Sequence, residues 1–472
     1  MIYFFVFMSL TSASTIYISD VGVRGFARGG AFVAGVDDIS AHWYNPAAFA
    51  TMRGGNLYFQ YSGVKQFASF DRREYPGEIF DKAGNESENF SVTNEAQPVY
   101  IPHFGGTFDF GTENLTLFLG FTTPYGSKFE YPDSGPQRYS LKSSAVIQTF
   151  AGPSLAYRIH DWIYIGGSLS WTTMHIQQSR DISVYLTTLE EEAKDIENPN
   201  YDVGFELEVH QMNSLTWNLG LLIEPPTRGW ALGLSWTPAK LYTPRGTVSV
   251  DFSQNRLYEN YGEDAIPIIK TGYTQDDDAS LSIHMPTILR SGLLLRPTPV
   301  LEIELSFVYE GWGVIDQLTV DDVEMKIETI QGEQTIEGPF PIPANYDDSW
   351  SVRLGGEWTL PSQKLAFRSG IMYETSGIPA DQLSVTLLDA AKYGYGIGGS
   401  YQIYENVVMD LGWFQSFMGS WKNDSSTIAR LSLQIDPVTQ NIDETYDRLV
   451  AQGDYQSSTF ILAGGLTYTF GK

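Results

Sequence analysis

Six histidines, at positions 42, 103, 160, 175, 210 and 284, have the widest choice of chemistry in this chain, since an imidazole can ligate a metal or move a proton near neutral pH. Their spacing supports neither role. There is no HExxH motif and no i, i+4 pair. No GxSxG elbow is present. Gly394, Gly396 and Gly399 satisfy GxGxxG, but the run lies inside a strand pattern with no helix after it, so a pyrophosphate would find no helix N-terminus. Small glycines that let another segment pack closely are the expectation instead. Ser168 and Ser170 near His160 and His175 are the remaining hydrolase candidate, yet hydroxyls are also what a strand's polar face carries. The chain has no cysteine, which removes thiolate nucleophiles, disulfides and Cys-ligated metals. No catalytic residue, metal or cofactor is expected.

With 29 basic against 56 acidic side chains in 472 residues, the net charge of −27 repels a phosphate backbone and excludes nucleic acid as a partner. Charged residues make up only 18% and aromatics 14%, an unusual balance for a soluble domain. No run of about 20 apolar residues marks a membrane helix. The apolar stretch Met1–Met8, followed by Ser9, Leu10, Thr11, Ser12 and Ala13, reads as a secretory signal ending at Ala13, although no Lys or Arg precedes it.

The elements that must position any site have a period of two. Trp230, Leu232, Leu234 and Trp236 alternate with Ala231, Gly233 and Ser235, and Leu301, Ile303, Leu305 and Phe307 alternate with Glu302, Glu304 and Ser306. Comparable cores fall at 57–61, 104–110, 115–121, 147–157, 163–171, 215–223, 230–236, 289–295, 301–309, 350–358, 365–373, 395–403, 407–413 and 460–470. Connections alternate strictly between long and short. An even set of fourteen antiparallel strands, tight turns at one end and long loops at the other, predicts an all-β transmembrane barrel, because lipid offers no partner to an open sheet edge. A soluble sandwich explains the alternation but not the loop lengths, nor an inner face nearly free of apolar residues. Trp162, Tyr164, Trp171, Trp230, Trp236, Trp350, Trp358 and Trp413 fit outer aromatic girdles. Further β character at 181–186, 247–252 and 428–435 extends beyond the bilayer. Acid gathers in the long connections at Glu190, Glu191, Glu192, Asp195 and Glu197, at Asp276, Asp277 and Asp278, and from Asp321 to Glu337. A self-repelling solvated surface explains this; divalent-cation bridging to anionic lipid is the alternative.

Residues 14–53 precede the first strand and are not strand-like. Gly-rich turns, a short Ala-rich piece, an Asp37-Asp38-x-Ser40 helix start and an Asn45-Pro46 turn describe a compact plug of short helices, with a tail outside the barrel as the other reading. Arg24 and Arg28 are placed to pair with inward acids such as Glu302, Glu304, Glu357 or Asp410. Phe26, Phe32, Trp43 and Phe49 would supply apolar packing and a substrate path.

The run GVRGFARGGAFVAGVDDISAHWYNPAAFA resembles the N-terminal hatch of the outer-membrane transporters for long-chain fatty acids and other hydrophobic compounds, the FadL/TodX type, at Arg24, Gly29, Gly30, Ala31, Ala34, Asp37, Asp38, Ala41, Asn45, Pro46 and Ala47. The resemblance continues at Thr123-Pro124-Tyr125-Gly126 and from Asp347 to Trp413. It departs at the C-terminus, where Phe470 is followed by Gly471-Lys472, and in the long loops. It implies a signal peptide at 1–13, a hatch at 14–53 and a fourteen-stranded barrel at 54–472 in the bacterial outer membrane. It also implies a monomer whose partners are a hydrophobic small molecule and outer-membrane lipid, with no enzymatic activity. In such transporters the ligand leaves through a lateral gap near the third strand, which would here involve Pro124, Tyr125 and Gly126. The residues alone favour an ordinary strand-ending turn there. A structural or adhesive barrel with acidic loops and no transport is the competing function. An apolar cavity bounded by hatch aromatics and a break in the wall would separate the two.

Overall fold

The computed structural model describes residues 20–74, 79–80, 86, 90–189, 197–362, 364–436, 438–439 and 442–471. The signal segment, the first residues of the predicted plug, and Glu190, Glu191, Glu192 and Asp195 lie outside them. Fourteen strands form the wall: β1 (Gly55–Arg72), β2 (Val99–Phe108), β3 (Leu115–Glu130), β4 (Ser143–His160), β5 (Ile163–Leu186), β6 (Asp202–Ile223) and β7 (Trp230–Thr237). The other seven are β8 (Ile288–Thr298), β9 (Leu301–Glu310), β10 (Ser349–Thr359), β11 (Leu365–Glu374), β12 (Lys392–Tyr404), β13 (Val407–Asn423) and β14 (Gly453–Phe470). Each pairs antiparallel with its neighbour in sequence, and β14 pairs with β1 from Gly55↔Phe470 to Arg72↔Gly453, so the sheet closes. Every predicted core falls within one of these strands or overlaps it.

Exposure runs opposite to that of a soluble protein. On β1, Leu57, Phe59 and Tyr61 are exposed while Tyr58, Gln60 and Ser62 are buried. The same inversion around the wall leaves Leu219, Leu234, Leu293, Leu305, Leu354 and Leu411 outside, an apolar belt far larger than a monomer leaves in water. Trp162, Trp171, Trp230, Trp236, Trp350 and Trp358 are exposed on this face, and Trp413 is half-buried against Tyr395, with ring centroids 5.0 Å apart. Tyr164 is the exception: it is buried, because it alternates with outward Ile163 and Ile165 and therefore faces in.

The inner face also differs from expectation. Phe118, Phe150, Met174 and Ile176 are buried on inward positions of β3, β4 and β5 and join the main core cluster. They face other residues inside the barrel instead of water, so the rule of polar inward residues does not bind them. At the other end, β5 and β6 continue well past the membrane belt. The upper part of β6 pairs with Arg245–Asp251, which pairs with Tyr273–Met285. Ser432–Ile435 lies parallel to the end of β5. The long connections thus build a folded β cap, as the β character at 181–186, 247–252 and 428–435 predicts.

Candidate functional site

Residues 20–53 lie inside the barrel and are almost entirely buried. They form α1 (Val23–Ala27), α2 (Ala41–Tyr44) and a 3-10 turn at Pro46–Thr51. The helix start at Asp37-Asp38-x-Ser40 works through Asp38, whose carboxylate accepts from Ser40 N at 2.9 Å and whose carbonyl accepts from Ala41 N. Asn45 caps the 3-10 turn by accepting from Ala47 N at 3.2 Å, and Pro46 sits where no donor is needed. The Asn45 amide also donates to Val33 O and to Leu221 O of β6, both at 3.1 Å, which ties the turn to the wall.

The segment ends α1 at Gly29 and Gly30, whose φ values of 60° and 78° favour glycine. A Cβ on Gly29 would lie 2.8 Å from the backbone of Gly370 on β11. Gly396 and Gly398 on β12 make similar room for Phe26 O and Ala27. Gly394 faces inward against Phe414 and Met372, whereas Gly399 falls on the outer face beside Phe367, one residue out of phase.

Across β9 to β13 the segment is held by charge. Arg24 Nε donates to Asp410 Oδ1 at 3.0 Å and Nη1 to Asp37 at 2.6 Å. Arg28 lies 3.5 Å from both Glu302 and Glu304. Glu304, wholly buried, accepts three successive backbone N–H groups, from Val33 at 2.6 Å and from Ala34 and Gly35 at 2.9 Å. Arg353 pairs with Asp20, and Arg368 bridges Glu357 and Asp410 at 2.6 and 3.2 Å.

Across β3 to β7 it is held without charge. His42 Nδ1 and Nε2 lie 2.7 Å from Ser154 Oγ and 2.8 Å from Ser170 Oγ. Asn218 donates to Trp43 O at 3.0 Å and Ser235 to Tyr44 O at 2.5 Å. The histidine that meets serines is therefore His42, not His160 or His175. No acid orients its ring, since both nitrogens face hydroxyls. Phe49 stacks on Phe118 at 4.6 Å, and Trp43 meets Phe150 at 5.8 Å and Tyr125 at 5.6 Å. Arg290 on β8 places its guanidinium 4.4 Å over the Trp43 ring. Of the four aromatics named from sequence, Trp43 and Phe49 join this cluster. Phe26 packs instead near Phe414, and Phe32 against Tyr44. Phe118, Phe150 and Arg290 escaped sequence reasoning. The available signal was a bulky or charged residue on the inward phase of an alternating strand.

Tyr125 reaches Trp43 because β3 is distorted. Pairing with β4 shifts register between Thr122 and Tyr125, and residues 122–127 are all buried, so alternation is lost. Pro124, which lacks a donor, sits in the shift. The β2–β3 ladder runs only from Phe104↔Phe121 to Phe108↔Leu117, while residues 99–103 of β2 keep their pairing with β1. A strand-ending turn is overturned here: β3 continues to Glu130 and the wall loses its ladder on one side. An apolar hollow of about 790 Å³ lies elsewhere, on the outer wall between Leu219, Leu234, Trp236, Leu289 and Phe307, so it faces lipid and is not bounded by the inner aromatics.

Above the site, the cap buries Glu197 among arginines. Burial alone would raise its pKa, but Arg72, Arg138 and Arg430 pull it down to about 2. Arg72 Nη1 donates to it at 2.7 Å, and Arg138 Nε donates to Asp202 at 2.7 Å.

Residues 5–470 match the model of a family described as outer membrane protein transport protein (OMPP1/FadL/TodX). The long-chain fatty acid transport protein of Escherichia coli (strain K12) is 25% identical over 69% of this chain and 65% of its own length. The protein of that name from Escherichia coli O157:H7 is 25% identical over 42% of this chain, and the match spans 40% of its length. Among solved structures, a Pseudomonas aeruginosa FadL homologue superposes with a TM-score of 0.72 at 14% identity, covering 97% of this chain and all of that one. The Pseudomonas putida toluene transporter TodX gives 0.64 at 13% identity, covering 97% of this chain and all of that one. At these identities the structures share the fold.

Proposed function

Because this chain belongs to the outer membrane protein transport family (OMPP1/FadL/TodX), we propose that it takes up hydrophobic small molecules across the bacterial outer membrane. Long-chain fatty acids and aromatic hydrocarbons, the classes named by its relatives, are the substrates to test. Residues 14–53 serve as the hatch, with Arg24, Gly29, Gly30, Ala31, Asp37, Asp38, Asn45, Pro46 and Ala47 shaping it. The ligand enters beside Trp43, Phe49, Phe118, Tyr125 and Phe150 and leaves sideways through the wall between β2 and β3.

The observation that carries this reading is the coincidence of the two features. The distortion that removes the β2–β3 ladder is the one that turns Tyr125 in against Trp43. An apolar solute gains about 25 cal/mol for each Å2 it buries, so it favours such a path over an aqueous pore. An adhesive barrel has no use for a broken wall, since unpaired backbone in a bilayer is costly.

A Cβ at Gly126 would lie 3.6 Å from Ile101 Cδ1 across the break, and the chain has no other thiol to interfere. Cells carrying the double variant Ile101→Cys, Gly126→Cys are treated with oxidant, and uptake of labelled oleate and toluene is followed. Uptake should stop on oxidation and return on reduction. A confirmed crosslink with undiminished uptake overturns lateral exit.

A further inference from the structure

Where the β2–β3 ladder stops, it leaves buried side chains unmet as well as backbone. Its last pair is Phe104 with Phe121, whose rings stack on the outer face at 5.2 Å. One residue further along each strand, alternation turns His103 and Thr122 inward, and they are 2% and 0% exposed. Among the described residues, His103 Nδ1 and Thr122 Oγ1 have no hydrogen-bond partner. Ser62 Oγ on β1 and Ser127 Oγ on β3, both buried, share that condition. A buried donor or acceptor is costly to leave unmet, and here four such atoms fall on three adjacent strands at the break.

We propose that His103 and Thr122 form a polar subsite that selects ligands with a neutral hydroxyl head on an apolar body, such as an alcohol or a phenol. The inference rests on passage through the break and adds a substrate class to it. A neutral imidazole carries one donor and one acceptor, and a hydroxyl can do either, so a head with an O–H can give to one and take from the other. A bare hydrocarbon leaves both unmet, and a site built for a hydroxyl rejects the analogue without one. An anionic head is disfavoured because neither group carries a charge to offset its loss of hydration. Gln60, the ladder partner of His103, donates to the buried carboxylate of hatch Asp38 at 3.1 Å, so the hatch meets the wall next to the subsite. Val64 and Ile101 of the same two strands give the ligand's body an apolar surface.

The test is saturable binding of 1-dodecanol and of dodecane to the full chain in lipid nanodiscs. The alcohol should bind at least tenfold more tightly. His103→Phe and Thr122→Val should each cut that preference at least fivefold by weakening the alcohol alone, and Thr122→Ser should keep it. Equal affinity for the two ligands in the unaltered chain overturns the subsite, as does equal weakening of both by the variants, which marks a packing role. Crosslink-sensitive uptake with no preference for the alcohol sinks only the subsite. Uptake that ignores the crosslink sinks lateral exit first.

Discussion

The two halves of the barrel hold the same inner segment by different chemistry. Along β9 to β13 the contacts are ion pairs: Arg24 with Asp410, Arg28 with Glu302 and Glu304, Arg353 with Asp20. Along β3 to β7 they are hydroxyls, an imidazole and stacked rings. The wall is intact beside the charged half and broken beside the uncharged one. A buried ion pair is hard to part because each partner left alone is a bare charge in a poor solvent. A serine–histidine contact is replaced by water at little cost. The comparison assigns anchoring to one half and movement to the other.

The largest effect expected from that contrast is at Glu304. Replacing it by Leu leaves three buried backbone N–H groups without their acceptor and Arg28 with Glu302 as its remaining partner, and should cost about 3–5 kcal/mol. Limited proteolysis within residues 20–53 should accelerate by more than a hundredfold, read as cleavage rate in detergent. Unchanged protection breaks the claim that the charged half is the anchor.

His42→Ala tests the other half. Losing two hydrogen bonds and the ring above Phe118, 5.3 Å away, should cost about 1–3 kcal/mol. Because this half is assigned movement, uptake should hold steady or rise while unfolding by heat shifts down. A loss as large as that of the Glu304 variant, in both stability and uptake, would erase the distinction between the halves.

How much of this was legible follows from which face each residue serves. The wall could be read from sequence because lipid imposes strict alternation on strands such as Leu301–Glu310, and turn residues mark the short ends. The inner segment could be read from its glycines and Asn45-Pro46. The aromatic cluster could not, since Phe118 and Phe150 obey a partner contributed by residues 43–49, and period two carries no information about that partner. Pro124 was ambiguous for a related reason. Its missing N–H announces a lost ladder bond, but whether the strand ends or merely shifts depends on β4, which keeps pairing through Glu130↔Ser143.

The smallest effect lies in the cap, and it asks whether charge anchors there as it does below. Glu197 ionises near 4.5 when exposed and near 2 in the fold, so its folded pKa is depressed. The stability it contributes is therefore complete above about pH 5 and is lost as pH falls through 4.5 towards 2. The linkage amounts to about 1 kcal/mol by pH 4. Other carboxylates titrate in the same window, so the useful quantity is a difference: unfolding free energy against pH for the unaltered chain and for Glu197→Gln, whose curve should be flatter between pH 6 and 4 by that amount. Parallel curves would mean that Arg72 and Arg138 do not depend on the Glu197 charge. The cap would then belong with the uncharged half, held by shape and not by ion pairs.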